Sequence, residues 1–118
     1  MPFTWGVSRG WFTLRPSSNA GSGTATGHDG VLWVGPRRID RLDVLRVRTY
    51  LGPTLSRRGV CLELIADAPL IVAEEHDEWA DRDPTYDFVN LMFDAAWAVD
   101  LGRDLAAWLG VPHTDELA

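Results

Sequence analysis

His76 sits in a run of acids, Glu74, Glu75, Asp77 and Glu78, and His28 stands beside Asp29. Imidazole and carboxylate groups together suit a metal ion. Neither histidine has a partner at helical spacing, however, and His-Glu-x-x-His is absent. No metal and no cofactor is therefore expected, and the acidic run reads as a solvated link. Asp87, Asp94, Asp100 and Asp104 could do acid–base work as a pair, but at 100° per residue they spread over three faces. Cys61 is the only cysteine. With no base beside it, it reads as a small buried hydrophobe and not as a nucleophile, and an internal disulfide is impossible. The glycines between Pro16 and Gly30 lack both the Gly-Lys-Ser/Thr of a phosphate loop and dinucleotide spacing. No enzymatic signature emerges.

The arginines are a separate matter, because a guanidinium can hold phosphate or carboxylate through two hydrogen bonds. All 11 basic residues are Arg. Seven crowd the middle of the chain: Arg37, Arg38, Arg41, Arg46, Arg48, Arg57 and Arg58. Arg37, Arg38, Arg46 and Arg48 are the candidate anion-binding residues, and Arg46 and Arg48 share a strand face with Tyr50. The charge is unevenly divided. Residues 1–60 hold nine Arg against three acids, and residues 61–118 hold two Arg against fourteen. Opposite-signed parts of one compact domain are expected to lie partly side by side. The net charge is −6, so neither nucleic acid nor an anionic membrane is expected as a partner. No apolar run reaches 18 residues, and Met1-Pro2-Phe3-Thr4-Trp5 has no basic start leading into an apolar stretch. Neither a membrane span nor a secretory signal is expected, and the single cysteine fits a cytoplasmic location.

The elements that must position these residues follow from periodicity. At 118 residues the chain is long enough for one core, and 1–118 reads as a single domain. Phe3 to Ser8 and Trp11 to Arg15 alternate as strands around the turn Ser8-Arg9-Gly10. Pro16 to Gly30 has almost nothing to bury and reads as a mobile loop over 16–30. Val31 to Gly35 forms a third strand, with Trp33 on one face and Leu32 and Val34 on the other. Gly35-Pro36 turns the chain. From Asp43 to Leu51, Leu45, Val47, Thr49 and Leu51 alternate with Val44, Arg46, Arg48 and Tyr50. Arg58 to Ala66 and Leu70 to Glu75 are two more strands, around Asp67-Ala68-Pro69. The tail after Pro112 reads as short and polar.

The longest regular pattern is the helical segment 84–109. Asp83 and Pro84 suit its start, and Gly110 with Pro112 its stop. One side carries Phe88, Leu91, Met92, Ala95, Val99, Gly102, Ala106 and Leu109. The other carries Phe93, Trp97, Leu101, Leu105 and Trp108. A helix apolar on two sides must be covered twice. Gly102 could divide it into two short helices, each with one buried face. The N-terminal strands could cover the second stripe. Or Phe93, Trp97, Leu101, Leu105 and Trp108 could meet a partner or a second copy of the chain, since large exposed apolar patches mark contacts.

The stretch Asp29-Gly30-Val31-Leu32-Trp33-Val34-Gly35-Pro36-Arg37-Arg38-Ile39, then Leu42 to Val47, then the Gly59 to Ala73 hairpin and the C-terminal helix, resembles bacterial PH-like domains over about residues 29–110. The resemblance implies a curved antiparallel half-barrel with a helix plugging one end, and binding of proteins, peptides or lipids; it brings no ligand residues. Six strands are read here against the seven of that family. The end of the chain, from Asp83 to Pro112, is also similar to the ends of small bacterial proteins without an assigned activity.

The expected fold is α+β: an antiparallel sheet of five to seven strands followed by one long helix or two short ones. The expected function is a non-enzymatic protein-binding or interaction domain, self-associating as a homodimer through the C-terminal helix or meeting another protein there. The alternative is a cytoplasmic immunity-type inhibitor that masks a basic partner with its acidic surface.

Overall fold

The computed structural model describes residues 1–52, 57–77 and 95–116. The first third of the chain is built from tight hairpins. Strand β1 (Phe3–Ser8) and β2 (Trp11–Pro16) are joined by Arg9-Gly10, with φ of 54° and 81°. Strands β4 (Ala25–His28) and β5 (Val31–Val34) are joined by Asp29-Gly30, with φ of 53° and 77°. Positive φ at both central residues twists the chain with the strands it connects, so two residues close each hairpin. Gly35, at φ 57°, opens the turn into β6 (Arg37–Asp40). These strands form one antiparallel sheet in the order β1-β2-β4-β5-β6.

The chain then crosses to a second sheet through a 3-10 turn, Arg41–Asp43, in which the Asp40 carboxylate accepts from the Leu42 amide at 3.0 Å. Five further strands form the second sheet. Its long strands are β7 (Val44–Leu51), β8 (Arg57–Leu64) and β9 (Leu70–His76). They pair antiparallel. The short β3 (Gly21–Ser22) leaves the first hairpin series to pair with β9, and β10 (His113–Asp115) lies parallel to β7. The architecture is α+β, with two five-stranded sheets and one described helix, α1 (Ala96–Leu109).

Helix α1 lies against both sheets, which is why it is apolar on two sides. Toward the second sheet it presents small residues. Thr49 of β7 donates its hydroxyl to the Ala98 carbonyl at 2.8 Å, and a Cβ on Gly102 would collide with the Thr49 hydroxyl and the His113 ring. Gly102 therefore does not break the helix; it lets the sheet come close. Toward the first sheet the helix presents its large residues. The Trp97 ring packs on Phe3 with centroids 4.8 Å apart, and Trp108 packs on Phe12 at 5.8 Å. Leu101 and Leu105 are fully buried in the same cluster, each contributing about 1.5–3 kcal/mol by removal from water. The indole of Trp5 in β1 donates to Asp104 on the helix at 2.9 Å. At the C-terminal end Gly110 adopts the left-handed cap at φ 73° and donates to the Ala106 and Ala107 carbonyls, as its position before Pro112 leads one to expect. The expected start at Asp83-Pro84 lies outside the described residues.

Three further elements depart from the sequence reading. The segment 16–30 holds β3 and β4, with Ala25 and Gly27 buried, where a mobile loop was expected. The tail after Pro112 supplies a strand because β7 has an open edge to pair with. In β7 an irregularity between Val44 and Arg46 turns Val44 inward and leaves Leu45 exposed, which reverses the expected faces at its start.

Candidate functional site

The helix stripe expected to meet a partner is covered by its own chain. Trp97 is 3% exposed, and Leu101 and Leu105 are fully buried. Trp97 donates its indole N–H to Glu75 at 3.2 Å, and Trp108 donates to the Gly10 carbonyl at 3.0 Å while its ring covers Gly27. Trp97, Leu101 and Leu105 are core, and Trp108 is half-buried against it. The expectation of a docking surface on Trp97, Leu101, Leu105 and Trp108 is corrected, because the inner face of the first sheet supplies the cover. Phe93 lies outside the described residues.

The expected anion site is largely neutralised from within. Arg37 pairs with Asp67 at 3.2 Å, Arg46 with Glu63 at 3.0 Å, and Arg48 with Glu116 at 2.8 Å. Arg57 holds Glu74 at 2.9 Å. The arginines of β7 and β8 thus meet the acids of the later strands across the second sheet, the side-by-side arrangement that the charge asymmetry implies. The Tyr50 hydroxyl also donates to Glu74, and its pKa is raised, first by burial and then by that carboxylate. Of the four candidate anion ligands, only Arg38 has no acidic partner among the described residues.

The other candidate groups do not converge. Among the described residues no three of His, Cys, Asp and Glu are grouped to hold a metal. Cys61 is buried on the outer side of β8, and burial pushes its thiol up against the opposing pull of Arg48. A protonated, enclosed thiol is a poor nucleophile. Asp100 pairs with Arg103 at 3.7 Å, and Asp104 accepts from Trp5; Asp87 and Asp94 lie outside the described residues. His28 meets Asp29 at 3.0 Å within its own turn.

Two polar nodes are built into the interior. Arg58, 2% exposed, is held by Glu75 at 2.8 Å and Asp77 at 3.4 Å. With Trp97 and Asp100 these side chains line a cavity of about 480 Å³. The second node is Thr49. Its hydroxyl hydrogen goes to Ala98, so it accepts from His113 Nε2 at 2.9 Å, which fixes the tautomer with the proton on Nε2. Burial lowers the His113 pKa; Asp115 opposes that and Arg103 reinforces it. Both nodes join the helix to the second sheet.

The side chains that sequence reasoning passed over lie on the outer face of the first sheet. Trp11 and Trp33 are 50% and 46% exposed there. Trp11 stacks on His28 across to β4, with centroids 4.3 Å apart and planes 11° from parallel. Trp33 pairs across strands with Arg38 on one side and Thr26 on the other. Arg15, four residues along β2 from Trp11, shares the face. From strand spacing and rise, the Trp11 and Trp33 Cα atoms lie about 12 Å apart. The signal was available: each tryptophan alternates with residues of the inner face, Phe12 and Leu14 or Leu32 and Val34, and so stands on the solvent side of its strand.

No protein-family model, curated protein or solved structure matches the chain.

Proposed function

We propose that this chain is a non-enzymatic protein-binding domain that docks through the outer face of its first sheet. The observation that carries the reading is the pair Trp11 and Trp33, half exposed on one face, with Arg38 opposite Trp33 and Arg15 on the same face. Trp and Arg are the residues most enriched among the energetic anchors of protein interfaces. A large indole left in water on a strand whose other face is fully packed calls for a contact. A PH-like architecture belongs to the same proposal, supported by a C-terminal helix wedged between two sheets. A cytoplasmic location is likewise proposed; what stands behind it is the lone cysteine, and no described helix is long and apolar enough to cross a membrane. The immunity-type reading is less favoured, because Glu63, Glu74, Glu75 and Asp77 already face arginines of the same chain.

Site-specific photo-crosslinking in the cells that make the protein tests this. A benzophenone side chain at Thr26, between the tryptophans, should give a discrete protein adduct that disappears in the Trp11→Ser, Trp33→Ser background. The same probe at Glu63 on the second sheet should give none. Equal adducts at both positions, or an adduct indifferent to the tryptophans, would remove the docking face.

A further inference from the structure

We infer that the partner segment taken up by this face is acidic, an Asp- or Glu-rich stretch of polypeptide carrying apolar or aromatic side chains. The inference rests on the docking face proposed above and adds the chemistry of its occupant. Ten of the eleven arginines lie among the described residues. Arg37, Arg46, Arg48, Arg57, Arg58 and Arg103 each face a carboxylate of the chain. The four with no acidic partner among the described residues, Arg9, Arg15, Arg38 and Arg41, all belong to the first sheet or its turns. Arg15 and Arg38 stand on the face itself. Arg9 is in the β1–β2 turn, and Arg41 is tied by its amide to the Gly30 carbonyl at 2.9 Å. Both therefore stand at the end that carries the Trp11–His28 stack. Asp29 in the β4–β5 turn and Asp40, opposite Val31 on the same face, offset the charge of Arg9 and Arg41 at that end. Arg15 and Arg38, which no carboxylate of the described residues faces, stand on the face of the two exposed indoles and complement an acidic segment with aromatic or aliphatic anchors. The arginines that would extend this footprint into a longer basic track are neutralised on the second sheet. The free positive charge is thus a bounded patch, which suits a short peptide segment better than a polynucleotide that needs many successive phosphate contacts.

The test uses the full chain and four probes: a random glutamate–tyrosine copolymer, a lysine–tyrosine copolymer, polyglutamate and oligothymidylate. Amide and indole NMR shifts locate binding, and titrations at two salt concentrations give its strength. The glutamate–tyrosine copolymer is expected to move the Trp11 and Trp33 indole signals, to bind more tightly than polyglutamate, and to weaken as salt rises. Arg15→Gln with Arg38→Gln should weaken it about tenfold, with the wild-type indole shifts as the independent measure if that variant is unstable. If the lysine–tyrosine copolymer binds the same indoles as well, the docking face stands and the acidic partner is overturned. If oligothymidylate binds there more tightly than the copolymer, a nucleic acid replaces the peptide. If no probe moves either indole, the docking face falls with the inference.

Discussion

Trp108 lies across Gly27, its six-membered ring occupying the space that a Cβ on that residue would need. The contact joins the last turns of the helix to the middle of the first sheet, 81 positions apart in sequence. Gly27→Ala should destabilise the fold by about 1–3 kcal/mol, the usual effect of overfilling a packed site. In a Trp108→Ala background the same change should be close to neutral, because the obstruction is gone. Urea unfolding of the four proteins of this cycle measures it; equal effects in both backgrounds would mean that the ring does not determine the glycine.

Burial decides which ion pairs matter for stability. Arg58 is enclosed and Glu75 nearly so, whereas Arg37 and Asp67 are in water. Glu75→Ala removes a carboxylate from a buried guanidinium that Asp77 still faces, and leaves the Trp97 indole without its acceptor; it should lower stability by about 1–3 kcal/mol. Asp67→Ala should change it by less than about 1 kcal/mol. Denaturant midpoints of the two variants check this, and comparable losses would contradict it.

His113 makes stability depend on pH. Its folded pKa is lowered, chiefly by burial against the helix, with Arg103 acting in the same direction and Asp115 against it. In the unfolded chain the imidazole has its ordinary value of about 6.5. Above that value both states are neutral there and the full stability is present. Below it the unfolded chain takes the proton first, so stability falls with pH until the folded value is also passed. Melting temperatures between about pH 7.5 and about pH 5 should drop less for His113→Gln, whose amide can still donate to Thr49. Parallel curves for variant and wild type would exclude His113 as the source.

Much of the second sheet was legible because its strands carry long period-two patterns: Val60, Leu62 and Leu64, which enter the core, alternate with Cys61 and Glu63 on the other face. Strand β4 was not, since its inward residues are Ala25 and Gly27, too small to register as apolar alternation. Their smallness has a cause that only the tertiary structure shows, the Trp108 ring above Gly27. The Asp29-Gly30 pair was the local hint, a mirror-type turn that implies a strand on each side. The helix was read as two-sided, and cover of its large stripe by the N-terminal strands was one of three readings left open; the expected docking role rested on another of them. Local sequence shows that a face is apolar, but what covers Trp97 is Phe3, 94 residues earlier. The candidate docking face depended on the opposite step, taking Trp11 and Trp33 as the outward partners of well-buried neighbours.

The position of the covering helix so late in the chain has a consequence during synthesis. Residues 3–40 can form their hairpins as soon as they leave the ribosome, but Phe3, Phe12 and Leu32 find Trp97, Leu101 and Trp108 only when residues 97–108 have been made. At ordinary elongation rates of about 5–20 residues per second, that leaves the nascent sheet uncovered for roughly 3–14 s. The inner face of the first sheet is exposed in that interval, and stop codons placed before Trp97 should yield chains that accumulate on holdases instead of folding.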